Sequence, residues 1–213
     1  MLTIQQFVCN MLQENCYVVN DDTLEAVVID CGAFYDDERQ AIIDYLETHH
    51  LKPVHLLCTH GHFDHCFGND TIFHNYGLKP EVAAEDEWLM DLKWQMRQMT
   101  GSDYRHPVPP IGQLLKGGDT IAFGNHQLVV LPTPGHTPGG VTFYCAEEKV
   151  AFTGDTLFYG SVGRTDFDRS SWSQLQKSLS GVIAKLPADT TLYCGHGPQT
   201  TVGDELRHNP YLR

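Results

Sequence analysis

The sequence predicts an α/β fold in which two β-sheets pack together with helices on their outer sides. Short apolar, strand-like runs alternate with helix-period segments in both halves of the chain. No repeat, low-complexity stretch or long linker interrupts that alternation. The 213 residues, 41% of them hydrophobic, are enough to bury one substantial core, so 1–213 is read as a single domain.

Taken in order, Cys16–Val19 and Ala26–Asp30 read as strands separated by a polar turn at Asn20, Asp21 and Asp22. Asp36 or Asp37 can cap a helix whose apolar positions Ala41, Ile42, Tyr45 and Leu46 recur at helical spacing, and Lys52-Pro53 ends it. Val54–Cys58 is a buried strand opening into THGHFDH. Helices are expected over Asp70–Tyr76 and Glu85–Met99. The second carries Trp88, Leu92, Met96 and Met99 along one stripe, read as packing rather than as a cover for a cleft. Thr120–Phe123 and Gln127–Leu131 form a hairpin about Gly124-Asn125-His126, and Val141–Tyr144 and Val150–Thr153 form another. Ser170 or Ser171 caps a helix bearing Trp172, Leu175, Leu179, Val182, Ile183 and Leu186. Thr191–Cys194 is the last strand and Thr201–Arg207 a short closing helix.

Composition narrows the function. A formal charge of −13 argues against a general nucleic-acid or anionic-membrane binder, since both need basic surfaces. A small anionic substrate is still allowed, because one arginine or a metal can dominate a cleft. No apolar run reaches the roughly eighteen residues of a membrane span, and the N-terminus lacks the basic start and apolar core of a secretory signal. The seven cysteines form no CxxC pair and sit mostly in apolar runs, which reads as buried free thiols in a reducing, cytoplasmic compartment. Cys66, directly after a histidine cluster, is also read as packing.

The chemistry lies at the strand ends. His60, His62, Asp64 and His65 form H-x-H-x-D-H directly after a strand. His136 in PTPGHTPGG, Asp155 in FTGDT and His196 in YCGHG also follow apolar runs, each flanked by Gly, Pro or Thr that let the backbone turn and present a side chain. Imidazole and carboxylate together suit zinc, iron(II) or manganese(II). Buried without a cation, five imidazoles and two carboxylates would cost several kcal/mol. His74, His106, His126 and His208 lack this setting and read as structural. Thr59, Thr137 and Thr156 sit beside candidate ligands and could orient them by hydrogen bonds.

This motif set resembles that of the metallo-β-lactamase superfamily over essentially the whole chain. The resemblance implies a four-layer αβ/βα sandwich with two divalent metals, zinc first, at the sheet edges. It implies one site of His60, His62 and His136, a second of Asp64, His65 and His196, and Asp155 bridging them. On that resemblance the metals would supply an acidified water and polarise a carbonyl for hydrolysis, and Asp64 would help to orient the nucleophile.

Within the superfamily, ENCYVV, THGHFDH, PTPGHTPGG, FTGDTLF, GSVGRTDF, YCGHGP and HNPYL resemble the short bacterial glyoxalase II-like thioesterases. The implied reaction is hydrolysis of S-D-lactoylglutathione or a related small thioester, by a monomer or small homo-oligomer. Arg164 occupies the position of a basic residue near the substrate's peptide portion; its structural alternative is a salt bridge to Asp166 or Asp168. The chain departs from the longer eukaryotic-type enzymes at Pro198, where they carry a substrate-contacting tyrosine. It also has only Gly197–Arg213 after the last ligand, where they have a helical domain, so the thiol stays open. GRTDF also resembles the persulfide dioxygenases, which would imply one iron on His60, His136 and Asp155.

Overall fold

Side chains alternate between the two faces of a strand, so a strand apolar on both faces must be covered on both. In the computed structural model, which describes residues 1–212, β1 (Thr3–Cys9), β2 (Glu14–Asn20), β3 (Glu25–Ile29), β4 (Lys52–Leu57), β5 (Pro80–Ala83) and β6 (Gln113–Leu115) form one sheet in that order. β7 (Thr120–Phe123), β8 (His126–Pro132), β9 (Val141–Cys145) and β10 (Val150–Gly154) belong to a second sheet. β11 (Leu157–Phe158) pairs β12 (Ser161–Val162) as a small ribbon. β13 (Thr191–Cys194) and β14 (Thr200–Thr201) complete the second sheet, ordered β14-β13-β10-β9-β8-β7. Arg213, the last residue of the unit expected over 1–213, lies outside the described residues.

The alternation places the layers. On β2, Tyr17 and Val19 point between the sheets toward Phe143 and Phe152, while Cys16 and Val18 lie beneath Ile42, Ile43 and Leu46 of α1 (Asp36–Thr48). On β10, Val150 and Phe152 point inward; Ala151 points outward against Leu175 and Leu179 of α4 (Trp172–Gly181). The result is helix, sheet, sheet, helix, the αβ/βα sandwich that the motifs imply. Each Val, Leu or Phe sealed between layers contributes roughly 1.5–3 kcal/mol. β3 and β4 run parallel with α1 between them, and β10 and β13 run parallel with α4 between them. These crossovers bring the C-terminal ends of the apolar strands to one edge of the sandwich. No helix among the described residues is long and apolar enough to cross a membrane.

Several sequence expectations shift. The helix expected over Glu85–Met99 is broken at Asp91. Ala84–Met90 is a 3-10 stretch, and α3 (Leu92–Thr100) starts afresh where Asp91 accepts the Trp94 amide at 3.0 Å. The N-cap of α1 is Tyr35, not Asp36 or Asp37, because Glu38 reaches back to the amides of Phe34 and Tyr35. That helix stops at Thr48, and Lys52-Pro53 already belongs to β4. Strands β1, β5, β6, β11, β12 and β14 were not anticipated, so Thr191–Cys194 is not the last strand: β1 mixes polar and apolar residues as an edge strand does, and the other five are short. α2 (Asn69–Tyr76) and α5 (Val202–His208) stand within one residue of expectation.

Candidate metal centre

All seven sequence-predicted ligands come together at that edge. His60 and His62 follow β4, Asp64 and His65 lie in a 3-10 turn over Phe63–His65, His136 sits between β8 and β9, Asp155 follows β10 and His196 follows β13. The two sheets are stitched there by backbone bonds: Val141 N–H donates to Thr59 O at 2.9 Å, and Asn15 N–H to Gly195 O at 2.8 Å. Gly195 must be glycine, because a Cβ there would strike the Asp155 carboxylate and the His65 ring.

The distances fit metal coordination. Two ligands about 2.0–2.1 Å from one tetrahedral ion stand roughly 3.3 Å apart. His62 Nδ1 lies 2.9 Å from His136 Nε2. His136 Nε2 is 3.4 Å from Asp155 Oδ2, and His65 Nε2 is 3.3 Å from Asp155 Oδ1. His196 Nε2 is 3.4 Å from Asp64 Oδ2 and 3.7 Å from Asp155 Oδ1. The trios His60–His62–His136, His60–His65–Asp155 and Asp64–His65–His196 each hold their ligand atoms within 4.8 Å of one another. His60 Nε2, His65 Nε2 and Asp155 Oδ1 are buried without any hydrogen-bond partner. A buried unpaired polar atom costs about 1–3 kcal/mol, so three of them facing one point fit a pair of cations well.

The opposite ring nitrogens are held by the protein, which fixes the tautomers a metal needs. His60 Nδ1 is 3.1 Å from Thr59 Oγ1, His65 Nδ1 is 3.0 Å from Asp30 Oδ2, His136 Nδ1 is 2.7 Å from Arg164 O, and His196 Nδ1 is 3.1 Å from Leu12 O. Asp30, in left-handed backbone at φ 53°, also accepts Thr59 N–H and Thr59 Oγ1–H, both at 2.7 Å. Thr59 thus does what the sequence reading asked of it. Thr137 instead donates to Asp86 at 2.7 Å, holding the His136 loop, and Thr156 donates to Thr133 rather than approaching a ligand.

Electrostatics follow from crowding. Burial opposes ionisation of Asp155, yet His65, His136 and His60 hold it well below the usual carboxylate range. Burial likewise disfavours the His65 imidazolium, but Asp155, Asp64 and Asp30 raise its pKa well above normal. Burial, with His136 adding to it, pushes His62 down to about 3. Glu14, fully buried with Oε1 3.7 Å from His65 Nδ1 and neither oxygen hydrogen-bonded, is pushed well up by burial.

Sequence reasoning missed Asp30, Asp86, Gln95 and Glu14. Asp30 ends an apolar strand just as the ligands do, which was a usable signal. Asp86 and Gln95 stand in the segment read as one helix: Gln95 Nε2 donates to Gly61 O at 2.8 Å and its Oε1 accepts Phe63 N–H, which braces the H-x-H turn. Cys66 is packing as expected, fully buried with Sγ 3.8 Å from Cys58 Sγ, and all seven cysteines are free and buried. His126 bonds to Asp21 and Glu148 rather than to any candidate ligand, in keeping with its structural reading.

Above the ligands opens a cleft of about 670 Å³. His62, Asp64, His136, Asp155 and His196 form its floor, and no serine, threonine or cysteine among the described residues lines it. Trp88 and Met99 line it, whereas Leu92 and Met96 of the expected stripe pack into the core. Arg164 is on the wall, but it makes the ion pair that was its alternative: Nε and Nη2 bond Asp166 at 2.9 and 2.8 Å.

Comparison with known proteins agrees with this geometry. Over 201 residues the chain is 34% identical to hydroxyacylglutathione hydrolase GloC of Haemophilus influenzae, covering 94% of this chain and 93% of that protein. It superposes on the crystal structure of the BLEG-1 B3 metallo-β-lactamase with a TM-score of 0.90 at 33% identity, covering 99% of both chains. It superposes on TTHA1623 in a di-iron-bound form with a TM-score of 0.84 at 35% identity, covering 98% of this chain and 100% of the other. The family model of the metallo-β-lactamase superfamily matches residues 9–196, which begin in the first sheet and end on the last of the seven ligands. With its two-sheet sandwich and a family match over residues 9–196, the chain belongs to the metallo-β-lactamase superfamily.

Proposed function

We propose that the protein is a metal-dependent thioesterase of the glyoxalase II-like type, hydrolysing S-D-lactoylglutathione or a related small thioester. The observation that carries this reading is the cleft floor: five of the seven candidate ligands line it, with His60 and His65 beneath, and no serine, threonine or cysteine among the described residues lines the cleft as a nucleophile. Two divalent ions bound there would supply an acidified water and a Lewis acid for the carbonyl. Zinc is the first choice, and the di-iron form of TTHA1623 makes iron the second.

The protein's own groups do the rest. His60, His62 and His136 would hold one ion, Asp64, His65 and His196 the other, with Asp155 between them. His65 and His196 keep Asp64 ionised although burial works against it. Asp64 can therefore accept a hydrogen bond from the attacking water and fix its direction. Phe167, stacked edge-on near His62 and His136, and Phe158 near His196 shield the floor from bulk solvent. The free, buried cysteines favour a reducing cytoplasm as the place of work. Monomer or small homo-oligomer both suit the site, since every ligand comes from one chain.

The test is anaerobic hydrolysis of S-D-lactoylglutathione by zinc- or iron-loaded protein, followed by loss of thioester absorbance. Turnover abolished by a chelator and restored by metal is the expected result. No turnover with either metal, together with oxygen uptake on glutathione persulfide, would replace this reading with a single iron on His60, His136 and Asp155.

A further inference from the structure

The cleft walls are apolar to a degree that a glutathione thioester does not need. Leu12 of the β1–β2 turn, Trp88 of the 3-10 stretch, Trp94 and Met99 of α3, Phe158 of β11 and Phe167 surround the floor. Trp88 and Trp94 meet edge to face with ring centroids 5.7 Å apart. Three of these side chains stay open to solvent at the mouth: Leu12 is 48% exposed, Trp94 41% and Met99 55%. Exposed apolar side chains gathered at a cleft mouth mark a surface meant to be covered by something apolar.

The charges point the same way. Glutathione carries two free carboxylates, which need unpaired cations. Apart from the candidate metal ligands, the charged lining is Asp168, no lysine, and one arginine, Arg164, which Asp166 already neutralises. Arg164 lies over Phe167, its Cζ 4.6 Å from the ring centroid, and the neighbouring Arg169 lies over Trp88 at 4.4 Å with Asp168 beside it. Both guanidinium groups are therefore engaged by aromatic rings as well as by carboxylates. A chain of net charge −13 adds a general repulsion for anions.

We infer that the preferred substrate is a thioester of an aromatic acid on a small thiol that lacks carboxylates. This rests on the thioesterase reading. The aryl ring lies between Trp94, Trp88 and Met99 while the carbonyl sits over the His/Asp floor. Water adds to the carbonyl carbon, the C–S bond breaks, and the thiol leaves with a proton.

The experiment is a four-substrate matrix on metal-loaded protein: lactoyl and phenylacetyl groups, each on glutathione and on N-acetylcysteamine, with rates corrected for spontaneous hydrolysis. Phenylacetyl should exceed lactoyl at least tenfold in kcat/KM on either thiol, and N-acetylcysteamine should equal or exceed glutathione for either acyl group. Trp94→Ala and Met99→Ser, both at exposed positions, should each narrow the phenylacetyl advantage severalfold, mostly through KM. Equal or better use of lactoylglutathione, or an advantage untouched by both variants, overturns the inference. If no thioester is cleaved, the thioesterase reading fails, and binding decides separately. Saturable quenching of tryptophan fluorescence by the uncleavable thioether S-phenethyl-N-acetylcysteamine, weakened by Met99→Ser, upholds the apolar site; no quenching removes it.

Discussion

Asp86 accepts the Thr137 hydroxyl at 2.7 Å, and through the same carboxylate it ties together two loops that carry metal ligands. The Gly139 amide donates to it at 2.7 Å, beside His136, and the Gly61 amide at 3.1 Å, between His60 and His62. The side chain is fully buried. Asp86→Ala removes all three bonds and leaves their donors buried and unpaired. We expect a loss of about 2–4 kcal/mol in stability and a ~10–100-fold loss in metal affinity. Asp86→Asn keeps part of the network and should fall between. Thermal melts with and without chelator, and metal content after dialysis, check both effects.

Metal binding should be linked to pH with a definite sign. His60 and His62 are neutral already, because burial and their histidine neighbours depress them. His65 and His196 are raised by the surrounding aspartates despite burial, so each must release a proton before it can ligate. Apparent affinity should therefore tighten as pH rises from 5 to 8, by up to about tenfold per pH unit for each proton displaced. Competition with a chromophoric chelator across that range measures it. A flat profile would remove His65 and His196 from the ligand set.

Arg164 tests what its ion pair with Asp166 is worth. Both side chains are largely exposed, so Arg164→Ala should barely change the melting temperature. Its effect on KM for S-D-lactoylglutathione should also stay within about threefold, since the cation is already engaged. Asp166→Ala frees the guanidinium and should lower that KM by a few fold. Steady-state kinetics on the two variants read this directly, and a large rise in KM for Arg164→Ala would restore Arg164 as an anion site.

The edge opposite the metal loops carries its own pH dependence. His126 sits between Asp21, 2.9 Å from Nδ1, and Glu148, 3.1 Å from Nε2, where the β2–β3 turn meets the β7–β8 hairpin. Burial disfavours its charge, but the two carboxylates raise its pKa. Its stabilisation is thus fully present below the unfolded value of about 6.5 and is lost as pH rises through the folded value. His126→Gln should cost ~1–3 kcal/mol at pH 5.5 and less at pH 9. Denaturant melts of the chelated protein at both pH values give the difference.

The candidate ligands were legible in the sequence as a set because they cluster in H-x-H-x-D-H after one apolar run or stand singly at the end of another, framed by residues that allow a sharp turn. The sheet alternation was legible in the central strands because each carries a mainly apolar run. Tertiary context decided the rest. Asp91 looks like a polar position on a helix face until its carboxylate is seen capping α3. Asp86 and Gln95 look like surface residues of that helix, and only the fold turns them toward the H-x-H turn. β5 and β6 are too short to show a period; β4 offers an edge to β5, and β5 in turn to β6.

The division of the ligands between the sheets has a consequence for biosynthesis. Each of the trios His60–His62–His136, His60–His65–Asp155 and Asp64–His65–His196 joins residues before position 66 to at least one beyond position 135. A nascent chain that has made the first sheet therefore completes none of these three, although Glu14, Asp30 and His65 already stand together, and the last of them closes only when His196 has emerged and β13 has docked. The cleft floor is thus a product of the two halves meeting rather than of either half alone.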